Sequence, residues 1–200
     1  MIKNLLSKIF PKKPAPPQVA PAVLSNNSPT PFVLIDYTDK LIKEFEQCRL
    51  EAYQDGAGVW TIGWGETLNV YPGMVITQSQ ADSMYDKRIL GFIVGVKECL
   101  RAVKQYADLN EMSALVSFAY NVGLGRDDER GTTGLKALLK GRTRDQISEA
   151  LLLYNKSGGK PVRGLKIRRA VEKELYDRPL MAPGIWDVKE ARARYERLIK

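Results

Sequence analysis

Beyond residue 35, apolar positions recur mostly every three to four residues, the spacing of helices that bury one face. The first such stretch spans 36–47, with Leu41, Ile42 and Phe45 inward. The period then falls to two. Residues 49–54 and 58–64 predict strands joined across Asp55-Gly56-Ala57-Gly58, residue types that tight turns favour. Trp60, Ile62 and Trp64 alternate with Val59 and Thr61, so one of these faces should pack on the protein. Thr77-x-x-Gln80 has the form of a capping box and starts a helix at Gln78. Further helices are predicted near 92–104, 110–122 (closed by Gly123), 133–140 (closed by Gly141), 144–154 and 165–176, with a second capping box at Thr143-x-x-Gln146. One hairpin followed by short helices predicts an α+β domain, a small β-hairpin lobe beside a mainly helical lobe. Trp186 to Ile199 predicts one more docked helix, with Trp186, Ala193 and Leu198 inward.

The ends have a different composition. Residues 11–31 hold seven of the eleven prolines and predict an extended, solvated linker. Before it, Ile2, Leu5, Leu6, Ile9 and Phe10 share one helical face opposite Lys3, Ser7 and Lys8. The chain therefore divides into an amphipathic arm and linker (1–32), a folded domain (33–177) and a helical extension (178–200). The net charge of +8 follows that division, with +4 in residues 1–34, +1 in 35–177 and +3 in 178–200. A nucleic-acid binder concentrates its charge on the folded domain, so no nucleic-acid partner is expected. Lys3, Lys8, Lys12 and Lys13 suit the arm of residues 1–13 to an anionic membrane surface instead. The arm lacks the uninterrupted apolar run of a secretory signal, and no stretch of about 20 apolar residues spans a membrane.

The absence of histidine from all 200 residues narrows the chemistry further. Histidine-ligated zinc amidases, Cys–His peptidases and Ser–His–Asp hydrolases all need an imidazole. Cys48 and Cys99 form no metal or redox motif and are expected unpaired, and no nucleotide-binding loop is present. Glycosidic cleavage needs neither histidine nor metal. It usually needs one carboxylic acid to protonate the leaving oxygen and a second carboxylate across the sugar. Glu46 at the end of the first helix, Asp55 at the hairpin turn and Thr61 on the returning strand can supply an acid, a carboxylate and a hydroxyl around one cleft. Taken singly, these are ordinary helix-end and turn residues.

Their setting is not ordinary. The stretch from Phe45-Glu46-Gln47 to Gln54-Asp55, then Gly58-Val59-Trp60-Thr61-Ile62-Gly63-Trp64-Gly65-Glu66-Thr67, resembles the phage-type lysozymes of glycoside hydrolase family 24. So do Val75-Ile76-Thr77, Ser117-Phe118-Ala119-Tyr120-Asn121-Val122-Gly123, Gly158-Gly159-Lys160 and Gly164-Leu165-x-x-Arg168-Arg169, in the same order over about 35–177. The resemblance implies a lysozyme-like fold and an endolysin that hydrolyses the β-1,4 bond between N-acetylmuramic acid and N-acetylglucosamine in peptidoglycan. It implies no cofactor and no metal. Glu46 would be the general acid, protonated near neutral pH, while Asp55 would stay ionised and, with Thr61, position water for inversion. One of Arg168 and Arg169, with Arg168 favoured, would orient Glu46 through an ion pair. Trp64 would either pack or present a platform to sugar rings. Two departures stand out. Gln47 replaces a usual Gly, and Glu66 replaces a usual His; Glu66 either perturbs a neighbouring acid, or points to solvent or pairs with a nearby Arg. The expected protein is a monomer held in the host cytoplasm before lysis. A lytic transglycosylase and a non-enzymatic wall-binding or virion protein are the alternatives, and the Asp55–Thr61 pair speaks against both.

Overall fold

The computed structural model describes residues 31–56, 58–180, 182 and 184–200, with side chains from Tyr37 onward. The expected arm and most of the Pro-rich linker lie outside the described residues. Helix α1 (Pro31–Phe45) leads into the antiparallel hairpin of β1 (Arg49–Gln54) and β2 (Trp60–Gly63). Tyr53 faces Thr61 and Gln54 faces Trp60, and the register shifts at an irregularity between Arg49 and Tyr53. The segment 74–76 lies along the other edge of β1, through Ala52 N to Met74 O (2.9 Å) and Ile76 N to Leu50 O (2.9 Å). Both faces of β2 are covered: Ile62 is fully buried, and so is most of Thr61. The small core of this lobe is Ile62, Ile76 and Ala81, with Ala52, Met74 and Met84 packed around it.

Helix α2 (Gln78–Ala102) starts at the expected capping box, Gln80 N donating to Thr77 Oγ1 and Thr77 N to Gln80 Oε1. It runs unbroken through the region where the sequence suggests two helices. Ile89, Ile93, Val96 and Leu100 keep one stripe buried across Gly91 and Gly95, and each glycine costs only about 1 kcal/mol relative to alanine in a helix. Helix α3 (Leu109–Val122) is the axis of the larger lobe: every residue from Asn110 to Tyr120 is buried. It packs against α1, α2 and α6. Helices α4 (Gly134–Leu139), α5 (Arg144–Leu151), α6 (Arg163–Asp177) and α7 (Val188–Leu198) complete the chain.

Two minimal hairpins escaped the sequence pattern, β3 (Asp127–Asp128) with β4 (Gly131–Thr132) and β5 (Lys156–Ser157) with β6 (Lys160–Pro161). Two residues per strand are too few for any periodicity to show. The second turns on Gly158 and Gly159, whose φ values of 54° and 78° suit the primed turns that match strand twist.

The segment after residue 178 joins the same core. Trp186, Val188 and Ala191 are buried, Trp186 lying edge-on to Tyr37 at 5.8 Å. Of the expected apolar set, Trp186 is buried and Ala193 half-buried, but Leu198 is 69% exposed, and Val188 and Ala191 face inward as well. Cys48 and Cys99 are separate thiols. Among the described residues no helix is long and apolar enough to cross a membrane.

Candidate active site

Glu46 follows the last residue of α1, and its N–H still donates to Ile42 O (2.9 Å). The helix thus delivers its carboxyl group to the seam between the two lobes. Arg168 on α6 reaches it, Nη1 donating to Glu46 Oε1 at 2.6 Å. Arg168 is only 4% exposed, whereas Glu46 is 23% exposed. The cation therefore sits behind the carboxyl group, on its protein side. Glu46 Oε2 lies beside Gly65, where an added Cβ would stand 3.8 Å from that oxygen and from the Tyr120 ring. Gly65 has a φ of +95°, so a side chain there would be strained although the space admits a Cβ.

Arg168 is itself fixed from behind. Its Nε donates to Glu172 Oε1 (3.1 Å) and its Nη2 to Ser117 O (3.3 Å). The same Glu172 Oε1 accepts from Ser117 Oγ (2.7 Å) and Arg169 Nη2 (3.0 Å), and Arg169 Nε lies 2.8 Å from Glu172 Oε2. Arg169 also donates to Asn121 Oδ1. Both Arg169 and Glu172 are fully buried. Burial pushes the Arg169 guanidinium down to about 10; Arg168 pulls the same way, while Glu172 and Glu46 oppose. Of the two arginines, Arg168 is the one that touches Glu46.

Across the seam, the hairpin turn holds Asp55. Its Oδ1 accepts from Val59 N at 2.9 Å, and its own N–H donates to Val59 O at 3.0 Å. The Thr61 hydroxyl donates to the same Val59 carbonyl at 3.0 Å. Because Thr61 pairs with Tyr53, and Asp55 is two residues beyond Tyr53, all three lie on one face of the hairpin. Asp55 is exposed, Tyr53 half-buried and Thr61 buried. Tyr53 is the neighbour that sequence reasoning missed. The Arg49 guanidinium lies 4.4 Å from its ring centroid. Burial raises the Tyr53 phenol, Arg49 lowers it, and Glu46 and Asp55 each raise it further, so one hydroxyl feels both carboxylates. The period-two series Glu51, Tyr53, Asp55 was the signal that could have found it.

Trp64 and Glu66 connect the lobes. Trp64 Nε1 donates to Asp82 Oδ1 (2.8 Å), its ring lies edge-on to Tyr85, and it touches both hydrophobic clusters. Its carbonyl accepts from Tyr120 OH at 2.6 Å. Glu66 turns toward α2: Oε1 accepts from Arg88 Nη1 (2.8 Å) and from the backbone N–H groups of Thr67 and Leu68. Of the two readings of Glu66, the structure carries the arginine pair. The arrangement offers one carboxyl group backed by a buried cation, and a second carboxylate and a hydroxyl on a separate lobe. Among the described residues no group of three or more His, Cys, Asp or Glu could hold a metal ion.

Comparisons with known proteins identify the family of the chain. Residues 43–172 match the phage lysozyme family. The chain is 41% identical over 140 residues to the endolysin of Bacillus phage PZA, covering 68% of this chain and 52% of that protein. The chain thus spans about half the length of this relative and of the Bacillus phage B103 endolysin. Among solved structures, the active form of the P1 phage endolysin Lyz superposes with a TM-score of 0.58 at 32% identity, covering 70% of this chain and 82% of that one. The muramidase domain of SpmX from Asticaccaulis excentricus gives 0.57 at 27% identity, covering 72% and 96%.

Proposed function

The chain belongs to the phage lysozyme family, and from that premise we propose that it is an endolysin that hydrolyses the β-1,4 bond between N-acetylmuramic acid and N-acetylglucosamine. The observation that supports this reading most is Glu46: Oε1 is held by the buried Arg168, Oε2 lies beside Gly65, and the side chain stays 23% exposed. Peptidoglycan lies across the seam, and Glu46 donates a proton from the oxygen that Arg168 does not hold to the leaving glycosidic oxygen. Asp55, exposed at the turn, stabilises positive charge on the sugar and directs a water to the opposite face of the ring. The Thr61 hydroxyl gives that water a second partner. Attack from the face away from the leaving group inverts the anomeric centre, and the proton lost by the water passes to Asp55. Tyr53 borders both carboxylates, and Trp64 anchors the cleft wall by joining the lobes. The protein acts as a monomer. It waits in the host cytoplasm, and residues 1–13 bring it to the anionic inner surface of the envelope before lysis.

Glu46→Gln tests the assignment, because the amide keeps the shape and cannot deliver a proton. Clearing of a peptidoglycan suspension should fall by about 10²–10⁴-fold with an unchanged circular dichroism spectrum. A variant that clears at close to the wild-type rate overturns the role of Glu46. Mass spectrometry of the products should find reducing muramic acid ends; anhydro ends would reassign the reaction to a transglycosylase.

A further inference from the structure

Resting on the reading of Glu46 as the general acid, we propose that Glu172 is a positioning residue that neutralises one of two buried arginines behind Glu46. In this way Glu172 keeps the acid from becoming their only counter-charge. Adjacent residues on a helix point about 100° apart, so Arg168 and Arg169 would ordinarily diverge. They converge here because Glu172 stands four residues beyond one and three beyond the other, on the seam between them.

The charge count follows from these contacts. Two guanidinium groups and the Glu172 carboxylate leave one net positive charge directly behind Glu46. Ionised Glu46 brings the unit to neutrality; without Glu172, Glu46 would face two cations alone. Such charges act strongly where water is excluded, and Arg168, Arg169 and Glu172 are all buried. Stability alone is a poor reason to keep them, since buried ion pairs are often replaceable by apolar residues without loss.

The other charged groups around this unit have partners of their own. From α7, Arg192 lies across the Phe45 ring from Arg168 and pairs with Glu44 and Glu196. From α2, Arg88 pairs with Glu66, and from α1, Lys43 lies over the rings of Trp64 and Tyr85. On the α5 side of α6, Lys173 pairs with Glu149 and Asp177. From α3 come the neutral Ser117 and Asn121, and Tyr120, whose phenol is raised by burial. From the hairpin comes Tyr53, with Asp55 beyond it.

The test is the pH dependence of kcat/KM on a peptidoglycan suspension for the full chain and three variants, Glu172→Gln, Arg169→Gln and the two combined. The alkaline limb reports loss of the acid's proton. Removing the Glu172 charge should move that limb down by about 1 pH unit, and removing the Arg169 charge should move it up by about as much. The double variant should return it toward wild type. A merely structural role would lower rates and unfolding temperatures without opposite movements of the limb. Limbs that stay in place, or that move the same way in both single variants, overturn the proposal. If Glu172→Gln does not fold, the upward shift in Arg169→Gln decides alone. If Glu46→Gln remains active, the assignment of Glu46 has failed, and that result is separate from any of these.

Discussion

The two carboxylates of the cleft live in opposite kinds of surroundings. Glu46 is joined to the helical lobe, where Arg168, Arg169, Glu172 and Ser117 form a buried lattice behind it. Asp55 sits at an exposed turn, its carboxylate accepting from Val59 N–H, in a lobe whose own core is Ile62, Ile76 and Ala81. Under the proposed roles, the difference teaches how one fold separates two jobs for the same functional group. A proton donor needs a fixed, partly desolvated setting, whereas a carboxylate that handles water needs access to water. Each lobe supplies the setting that its own packing makes available.

Breaking the lattice should have the largest effect. Arg168→Met removes a buried cation and leaves Glu172 short of a partner, which costs about 3–5 kcal/mol when one member of a buried pair is lost. Chemical denaturation should register that loss, and peptidoglycan clearing should nearly stop. On the exposed side the outcome should reverse. Asp55→Asn keeps an oxygen for Val59 N–H, so stability should change by no more than about 0.5 kcal/mol. Its turnover should nonetheless fall about 10²-fold, equivalent to about 2.7 kcal/mol in the barrier, with little change in KM. A large stability loss in Asp55→Asn would erase the contrast between the lobes. The smallest effect belongs to Glu66→Gln, which retains an oxygen for the Thr67 and Leu68 N–H groups and loses only the partly exposed pair with Arg88. It should cost less than about 1 kcal/mol in thermal or denaturant unfolding and leave the pH–rate profile in place.

Much of this contrast was legible before any coordinates. The switch from a period near 3.6 to a period of two located the hairpin just after Glu46, with Asp55 at its turn, and the Thr77 and Thr143 capping boxes set two helix starts. These are local signals, carried by neighbours a few residues apart. The break predicted within α2 failed for the converse reason. Gly91 carries a local cost, but burial of Ile89, Ile93 and Val96 against other helices outweighs it. The inward face of α7 was misjudged at Leu198 because a short polar helix has several equally good stripes, and only contact with α1 and α6 selects one.

The site divides along the same line. Residue types and spacing determined that Glu46, Asp55 and Thr61 could meet, because a helix end and a hairpin turn leave the chain few ways to go. Sequence also determined that Arg168 and Arg169 were the candidate partners of Glu46, through the family resemblance. Only the tertiary structure decided which arginine reaches Glu46, that Glu172 binds both, that Glu66 pairs with Arg88, and that Arg49 lies over the Tyr53 ring. The contact between Arg168 and Glu46 joins residues 122 positions apart. No periodicity spans such a distance; it arises because α3 packs against both α1 and α6 and so brings the two partners together.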